Sequence, residues 1–361
     1  MTKKLGFGLM RLPLTDPNNN GSIDIELLKQ MVDVFLQRGF TYFDTAWMYC
    51  DGQSEYAVNE ALTKRYPRSA FTVTSKLPNG PLTTLEDRDR IFYEQLRKTG
   101  LSYFDYYLLH AIGDQNIERF EQFDCFRWLM EKKAQGLAGR IGFSFHGTPE
   151  LLDKLLTKYP QLDVVQLQIN YLDWESEKVR SRQCHEIAVR HGKDIIIMEP
   201  VRGGALADVP EKVKMMFKNA DSKLSVPSWA IRFAAGLENV IMVLSGMSNL
   251  EQVLDNTGYM SDFKPLTDEE FKMALFAGEI ISGQAEIACT GCGYCTERCP
   301  KNIAIGQYFG ALNKKDKPRY DALTAYFGKA SDCIQCGQCE KACPQQLPIR
   351  GYLKSVAERF E

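Results

Sequence analysis

Eight short apolar runs, each followed by a helical pattern, dominate the first 260 or so residues and narrow the fold more than any other feature. The runs are "LGFGLM" (5–10), "TYFD" (41–44), "FTVTSK" (71–76), "YYLLH" (106–110), "RIGFS" (140–144), "VVQLQ" (164–168), "IIIME" (195–199) and "VIMVLS" (240–245). Between them, "IDIELLKQMVDVFLQRG" places Ile25, Leu28, Val32 and Phe35 on one helical face and stops on Gly39. Further helices are expected near 54–65, 83–99, 117–135, 148–158, 175–191, 225–235 and 248–260. Strand–helix alternation repeated eight times predicts an α/β fold, a closed (β/α)8 TIM barrel. An open doubly wound sheet is the alternative, and it lacks a complete G-x-G-x-x-G turn: "GFGLMR" has no third glycine.

The rest of the chain is of another kind. "KPLTDEEFKMALFAGEIISG" reads as a helix after a short linker, and two cysteine runs follow, "CTGCGYCTERCP" from Cys289 and "CIQCGQCEKACP" from Cys333. The expected division is a barrel over 1–262, a linker helix over 263–288 and a small, mainly helical domain over 289–361. Of eleven cysteines, Cys50, Cys125 and Cys184 are scattered and eight lie in the two runs. Disulfide frameworks belong mainly to small secreted chains, so the clustering points to metal. C-x2-C-x2-C-x3-C-P is the spacing of two-cluster ferredoxins, in which the fourth cysteine of each run serves the other cluster. The spacing assigns Cys289, Cys292, Cys295 and Cys343 to one [4Fe–4S] cluster, and Cys333, Cys336, Cys339 and Cys299 to a second. Structural zinc is the competing reading, although its sites more often show separated Cys-x2-Cys pairs. Two helices are expected between the runs, in "IAIGQYFGALN" and "PRYDALTAYFGKA".

Composition sets outer limits. In 361 residues, 44% hydrophobic and 25% charged, there is enough apolar material for a large core. A net charge of −2 gives no reason to expect nucleic acid or an anionic membrane as partner. No run approaches the roughly 18 apolar residues of a membrane span, and the first residues lack a secretory signal. A cytoplasmic protein is expected.

A barrel carries its chemistry at the C-terminal ends of its strands. The second strand ends at Asp44, with Tyr49 in the loop beyond; the third ends at Lys76 and the fourth at His110. Singly, each has an ordinary structural reading: a cap, a packed aromatic, a solvated end, a core histidine. Together they form a proton-handling set. A carbonyl that accepts hydride needs a proton, which tyrosine can give; a nearby lysine lowers the phenol pKa, aspartate fixes the lysine, and histidine orients the carbonyl. His146 also stands at a strand end, either lining a pocket or flanking a helix start. Trp47 and Trp174 lie in loops on the same rim.

On "FDTAWMY", "TSK", "LLH", "DGQSEYAVNEAL", "IGFSFH", "VVQLQINY" and "SGMSNLEQVLDN", the chain resembles the aldo-keto reductase family. Almost its whole length resembles the members that carry a C-terminal dicluster ferredoxin-like domain. The resemblance implies a nicotinamide-dependent reductase with Tyr49 as general acid. It also implies that Ser144 and Gln166 hold the carboxamide, that Met198 covers the ring, and that Gly203, Gly204, Ser245 and Gly246 surround the pyrophosphate. Ser248, Gln252 and Asn256 would complete the dinucleotide site. The sequence departs from the family pattern at Phe145, where asparagine is usual, and at Met198, where tyrosine is usual. The loop "SGMSNLEQVLDN" lacks Lys and Arg, which points to weak NADPH preference or to NADH.

The expected function is interconversion of a small-molecule carbonyl and alcohol, coupled to electron transfer through two [4Fe–4S] clusters and serving a redox protein partner. A flavin would reconcile two-electron hydride with one-electron clusters, though no flavin motif is legible. Two alternatives stay open: an electron-transfer or docking module on a catalytically degenerate barrel, and an ordinary NAD(P)H reductase with structural clusters. The sequence names neither substrate nor direction.

Overall fold

The computed structural model describes residues 3–283, 286–287 and 289–361, so the end of the expected linker falls partly outside the described residues. Eight parallel strands close in chain order: β1 (Leu5–Gly8), β2 (Tyr42–Asp44), β3 (Thr72–Leu77), β4 (Phe104–Ile112), β5 (Ala138–Phe145), β6 (Val164–Gln168), β7 (Asp194–Met198) and β8 (Val240–Gly246), with β8 pairing back to β1. All eight expected runs become strands. The first stops earlier than expected, at Gly8, and the fourth and fifth are longer.

Two apolar layers hold the barrel. Inside it, Tyr42, Leu108, Val164, Ile196, Met242 and Leu244 pack together. Outside, Phe7, Phe43, Val73, Tyr107, Phe143 and Val165 pack against the helices. Side chains alternate along a strand, so two residues beyond each inward position is another inward position. From Tyr42, Thr74, Leu108, Val164 and Ile196 the next inward residues are Asp44, Lys76, His110, Gln166 and Met198. The candidate polar residues are therefore the top layer of the barrel interior. At Gly142 the barrel admits no side chain, because a Cβ would lie 1.8 Å from the Val164 carbonyl oxygen.

The expected helix over 117–135 is two, Ile117–Gln122 and Cys125–Ala134, broken where Asp124 takes φ 47°. A helix at Glu211–Ala220 was not expected. Asp268–Ser282 starts on a Thr267–Glu270 capping box and buries Ala274, Ala277 and Ile281 in the barrel's own outer core. Its Phe271 stacks on Phe233, with ring centroids 4.6 Å apart. A Cβ on its Gly278 would stand 2.9 Å from the Tyr171 carbonyl, in the loop after β6. The helix thus climbs the barrel wall to the C-terminal rim, where the cysteine region begins.

That region has a separate core of Ile303, Ile305, Tyr308, Phe309, Tyr320, Leu353 and Val356. The two expected helices are Ile305–Lys314 and Lys317–Thr324, the second shorter than expected. A third, Ile349–Phe360, closes the core. No helix among the described residues is long and apolar enough to cross a membrane.

Candidate active site

Lys76 and Asp44 are fully buried, and Lys76 Nζ donates to Asp44 Oδ1 at 2.6 Å, to the Thr45 carbonyl at 2.9 Å and to the Tyr49 hydroxyl at 3.3 Å. Gln166 Nε2 donates to the other Asp44 oxygen at 3.1 Å. Burial pushes the Asp44 carboxyl up and the Lys76 ammonium down, and their mutual attraction opposes both shifts. With the Gln166 and Thr45 bonds added, the pair is held as an ion pair. Tyr49 is carried by a tight turn in which Cys50, Asp51 and Gly52 all have positive φ. The turn is tied down by Ser54 Oγ, which donates to the Leu9 carbonyl at 2.9 Å.

The expected lowering of the Tyr49 pKa by lysine is not what these surroundings produce. Burial raises it well above the ordinary phenol value, and Asp44 and Glu199 push the same way. Tyr49 is therefore a protonated phenol in this site. Its ring meets His110 edge-on, centroids 5.8 Å apart. Burial, with the Lys76 charge behind it, pushes His110 well below the ordinary imidazole range, so the ring is neutral.

A bulge aims His110. The β4–β5 register shifts between Leu109 and Ile112, and Ala111 takes φ 57°. The Ala111 N–H donates to Ser144 Oγ at 2.7 Å, and Asn116 Nδ2 donates to the Ala111 carbonyl at 2.8 Å. Ser144 is thus turned into this bulge, outside the lining of the cavity that receives the other candidate cofactor residues. Phe145 is packed in the core beside Phe143.

Two cavities flank the Tyr49–His110 ring contact: Tyr49 lines the first and His110 the second. The first, about 300 Å3, is built by the barrel alone. Asp44, Tyr49, Gln166, Met198, Gly203, Gly204, Ser245, Gly246, Ser248, Gln252 and Asn256 all line it. Arg11, Glu199 and Asp255 line it too and were not anticipated, although Arg11 and Glu199 follow the same strand-end rule. Arg11 is the only Lys or Arg in its lining among the described residues; it pairs with Glu199 at 3.3 Å. Ser245 Oγ accepts from Asn256 Nδ2 at 2.9 Å, and Gln252 Oε1 accepts from the Ser248 N–H at 2.7 Å.

The second cavity, about 590 Å3, is bordered by His110 and His146 from the barrel and by Tyr294, Arg298 and Lys341 from the cysteine region. Burial lowers His146 to about 4. Trp47 and Trp174 line neither cavity: Lys98 Nζ lies 3.8 Å from the Trp47 ring centre, and Trp174 packs against Phe233.

The cysteine region sits on this rim. Arg11 Nη2 donates to the Thr290 carbonyl at 3.3 Å, and the buried Gln345 Nε2 donates to Gln168 Oε1 at 2.9 Å. A Cβ at Gly203 would stand 1.8 Å from Thr290 O, so this glycine, at φ 65°, admits the cysteine loop as well as bordering the first cavity. Cys289, Cys292, Cys295 and Cys343 line one small cavity; Cys299, Cys333, Cys336 and Cys339 line another. The grouping is the crossed one expected from the spacing. Gly291, Gly293 and Gly337 have positive φ, and the Gly291 N–H donates to Cys289 Sγ at 3.3 Å. Among the described residues no three His, Cys, Asp or Glu side chains converge as a single-ion site. Thiols spread around a cavity suit a multi-atom cluster better than one tetrahedral ion.

Comparisons with known proteins agree with this architecture. The solved aldo-keto reductase AKR11C1 of Bacillus halodurans, in its holo form, superposes with a TM-score of 0.62 at 23% identity, over 76% of this chain and 91% of that one. An aldo-keto reductase of Klebsiella pneumoniae in complex with NADPH gives 0.61 at 18% identity, over 78% and 91%. These show the fold. Aldo-keto reductase AKR2E4 of Bombyx mori is 26% identical over 46% of this chain and 56% of its own length. The 4-dihydromethyl-trisporate dehydrogenase of Mucor mucedo is 30% identical over 42% and 55%. The chain thus spans about half the length of these curated relatives. Residues 4–274 match the aldo/keto reductase family and residues 288–347 the 4Fe-4S dicluster domain. With its closed eight-stranded barrel and crossed cysteine cavities, the chain belongs to the aldo/keto reductase family of oxidoreductases and carries a C-terminal 4Fe-4S dicluster domain.

Proposed function

We propose that this protein interconverts a small-molecule carbonyl and its alcohol, with Tyr49 as general acid and base, and that its cysteine module exchanges electrons with the barrel through two [4Fe–4S] clusters and with a protein partner beyond it, in the cytoplasm. The observation that carries the reading is the contact between Tyr49, which lines one cavity, and His110, which lines the other, on the rim where the cysteine loop docks. When bound, a nicotinamide supplies or takes hydride and the clusters supply or take single electrons.

The chain's own residues handle the proton. Tyr49, protonated because it is buried, gives its hydroxyl proton to the oxygen that gains charge in reduction. The phenolate left behind is steadied by the Lys76 ammonium 3.3 Å away, itself anchored by Asp44. Neutral His110 donates one ring N–H to the same oxygen and orients it. Gln166 spends its amide N–H on Asp44 and keeps its carbonyl for a carboxamide. In the first cavity, which all of them line, Met198 would cover the ring face, Gly204, Ser245 and Gly246 would hold the diphosphate, and Ser248, Gln252 and Asn256 would hold the adenosine end. Cys289, Cys292, Cys295 and Cys343 would hold one cluster, and Cys299, Cys333, Cys336 and Cys339 the other.

The test is anaerobic. Purified protein should contain about eight irons by its ligand count. Mixing it with NADH, then separately with NADPH, should bleach the visible cluster absorption. A colourless zinc protein overturns the cluster assignment. An iron protein that catalyses carbonyl reduction yet never bleaches overturns the relay. That result would favour a bracing role, for which the Gly203–Thr290 and Gln168–Gln345 contacts already speak.

A further inference from the structure

The second cavity has walls of two different origins. The barrel's share, which includes Met48, Pro78, Asn79, His110 and His146, contains no charged side chain, since burial keeps both histidines neutral. Every charge comes from the cysteine module: Arg298, Lys341 and one opposing carboxylate, Glu297. The Arg298 guanidinium reaches across the seam, 3.3 Å from where a Cβ on Gly80 would stand in the barrel loop after β3. Glu297 feels the Arg298 charge, but neither Arg298 nor Lys341 makes an ion pair among the described residues. A cavity with an uncharged floor, and with two cations against one carboxylate in its roof, selects a ligand that is uncharged at one end and anionic at the other.

We propose that the cavity takes a carbonyl substrate bearing an anionic group, a carboxylate or a phosphate ester, held by Arg298 and Lys341 while the carbonyl lies against Tyr49 and His110. The proposal rests on the catalytic reading above and adds the substrate class. It gives the cysteine module a second task, because the barrel supplies the proton chemistry while the module chooses the molecule. A rival role exists for both cations. Arg298 precedes Cys299, and Lys341 lies between Cys339 and Cys343, so each is placed to balance the charge of a cluster.

Binding and turnover separate these roles. Calorimetry on the full, cluster-containing protein should find 4-carbamoylbenzoate, anionic at one end only, bound at least about ten-fold more tightly than uncharged terephthalamide, a difference of about 1.4 kcal/mol. Glycerol 3-phosphate against glycerol is the phosphate arm, and the larger discrimination identifies the anion. Arg298→Gln with Lys341→Gln should erase the preference, and Arg298→Lys should keep most of it. Equal binding of 4-carbamoylbenzoate and terephthalamide, with no phosphate preference either, overturns the proposal. So does a double variant that shifts the cluster reduction potential but keeps the anion preference. In turnover, 4-formylbenzoate should exceed its methyl ester by a similar factor in kcat/KM. If 4-carbamoylbenzoate binds tightly but neither aldehyde reacts, the catalytic reading fails and the anion site stands. If both aldehydes react equally well and bind equally, the anion site fails and the catalytic reading stands.

Discussion

The two cavities on either side of the Tyr49–His110 contact are built in different ways. The first is lined wholly by the barrel, from Gly8 to Asn256; the second takes nearly half its lining from residues after Tyr294. One is complete within the barrel, and the other exists only while the module is docked. On the proposed function, the barrel alone would keep the cofactor side and lose the substrate side.

The sharpest test of that contact is Tyr49→Phe. It should cut carbonyl reduction by about 10²- to 10⁴-fold while nicotinamide binding, measured by fluorescence titration, stays near the parent value. A loss of only a few-fold would remove Tyr49 from the proton step. Breaking the seam comes next. In Gly203→Ala the new Cβ would lie 1.8 Å from the Thr290 carbonyl at a φ that suits glycine. The module should loosen, with a stability loss of about 1–3 kcal/mol in denaturant unfolding, and KM for the carbonyl should rise more than Kd for the nicotinamide. Equal loss on both sides would erase the distinction between the cavities.

A smaller effect sharpens the barrel-only side. Asp255 and Gln252 line the first cavity, in which the one lysine or arginine among the described residues, Arg11, is paired with Glu199. Asp255→Asn with Gln252→Arg should move selectivity toward NADPH by about ten-fold, read as the ratio of the two Kd values. The smallest effect is one of pH. His146 has a folded pKa of about 4, below the imidazole value of an unfolded chain. The unfolded state therefore binds the extra proton first, and the associated stability, fully present above about pH 6.5, is lost as pH falls toward about 4. The thermal midpoint should drop between about pH 7 and about pH 5, and His146→Asn should shrink that drop.

The barrel side was also the legible one. Alternation in "TYFD", "TSK" and "LLH" carries inward parity from the core to Asp44, Lys76 and His110, so period and strand end together locate them. Ser144 kept its parity but not its expected partner, because a bulge at Ala111 claims its hydroxyl, and no residue pattern in "YYLLHAI" announces a bulge. The Glu211–Ala220 helix escaped notice since only Val213 and Phe217 of it are buried. The module's half of the second cavity was out of reach for another reason. Contacts such as Gln345 with Gln168, 177 positions apart, follow from how two folded bodies dock, and no local periodicity encodes that. Within the module, by contrast, cysteine spacing alone gave the crossed grouping.

That crossing has a consequence for how the chain is made. The cavity opened by Cys289, Cys292 and Cys295 lacks its fourth thiol until residue 343 has been synthesised, and the cavity of Cys333, Cys336 and Cys339 depends on Cys299, made long before. Neither site has its four thiols until the second cysteine run is being made. A ribosome that stalls or a transcript that ends early in the second run yields a barrel with neither set of four thiols complete, so a full cluster site forms only in chains that carry both runs.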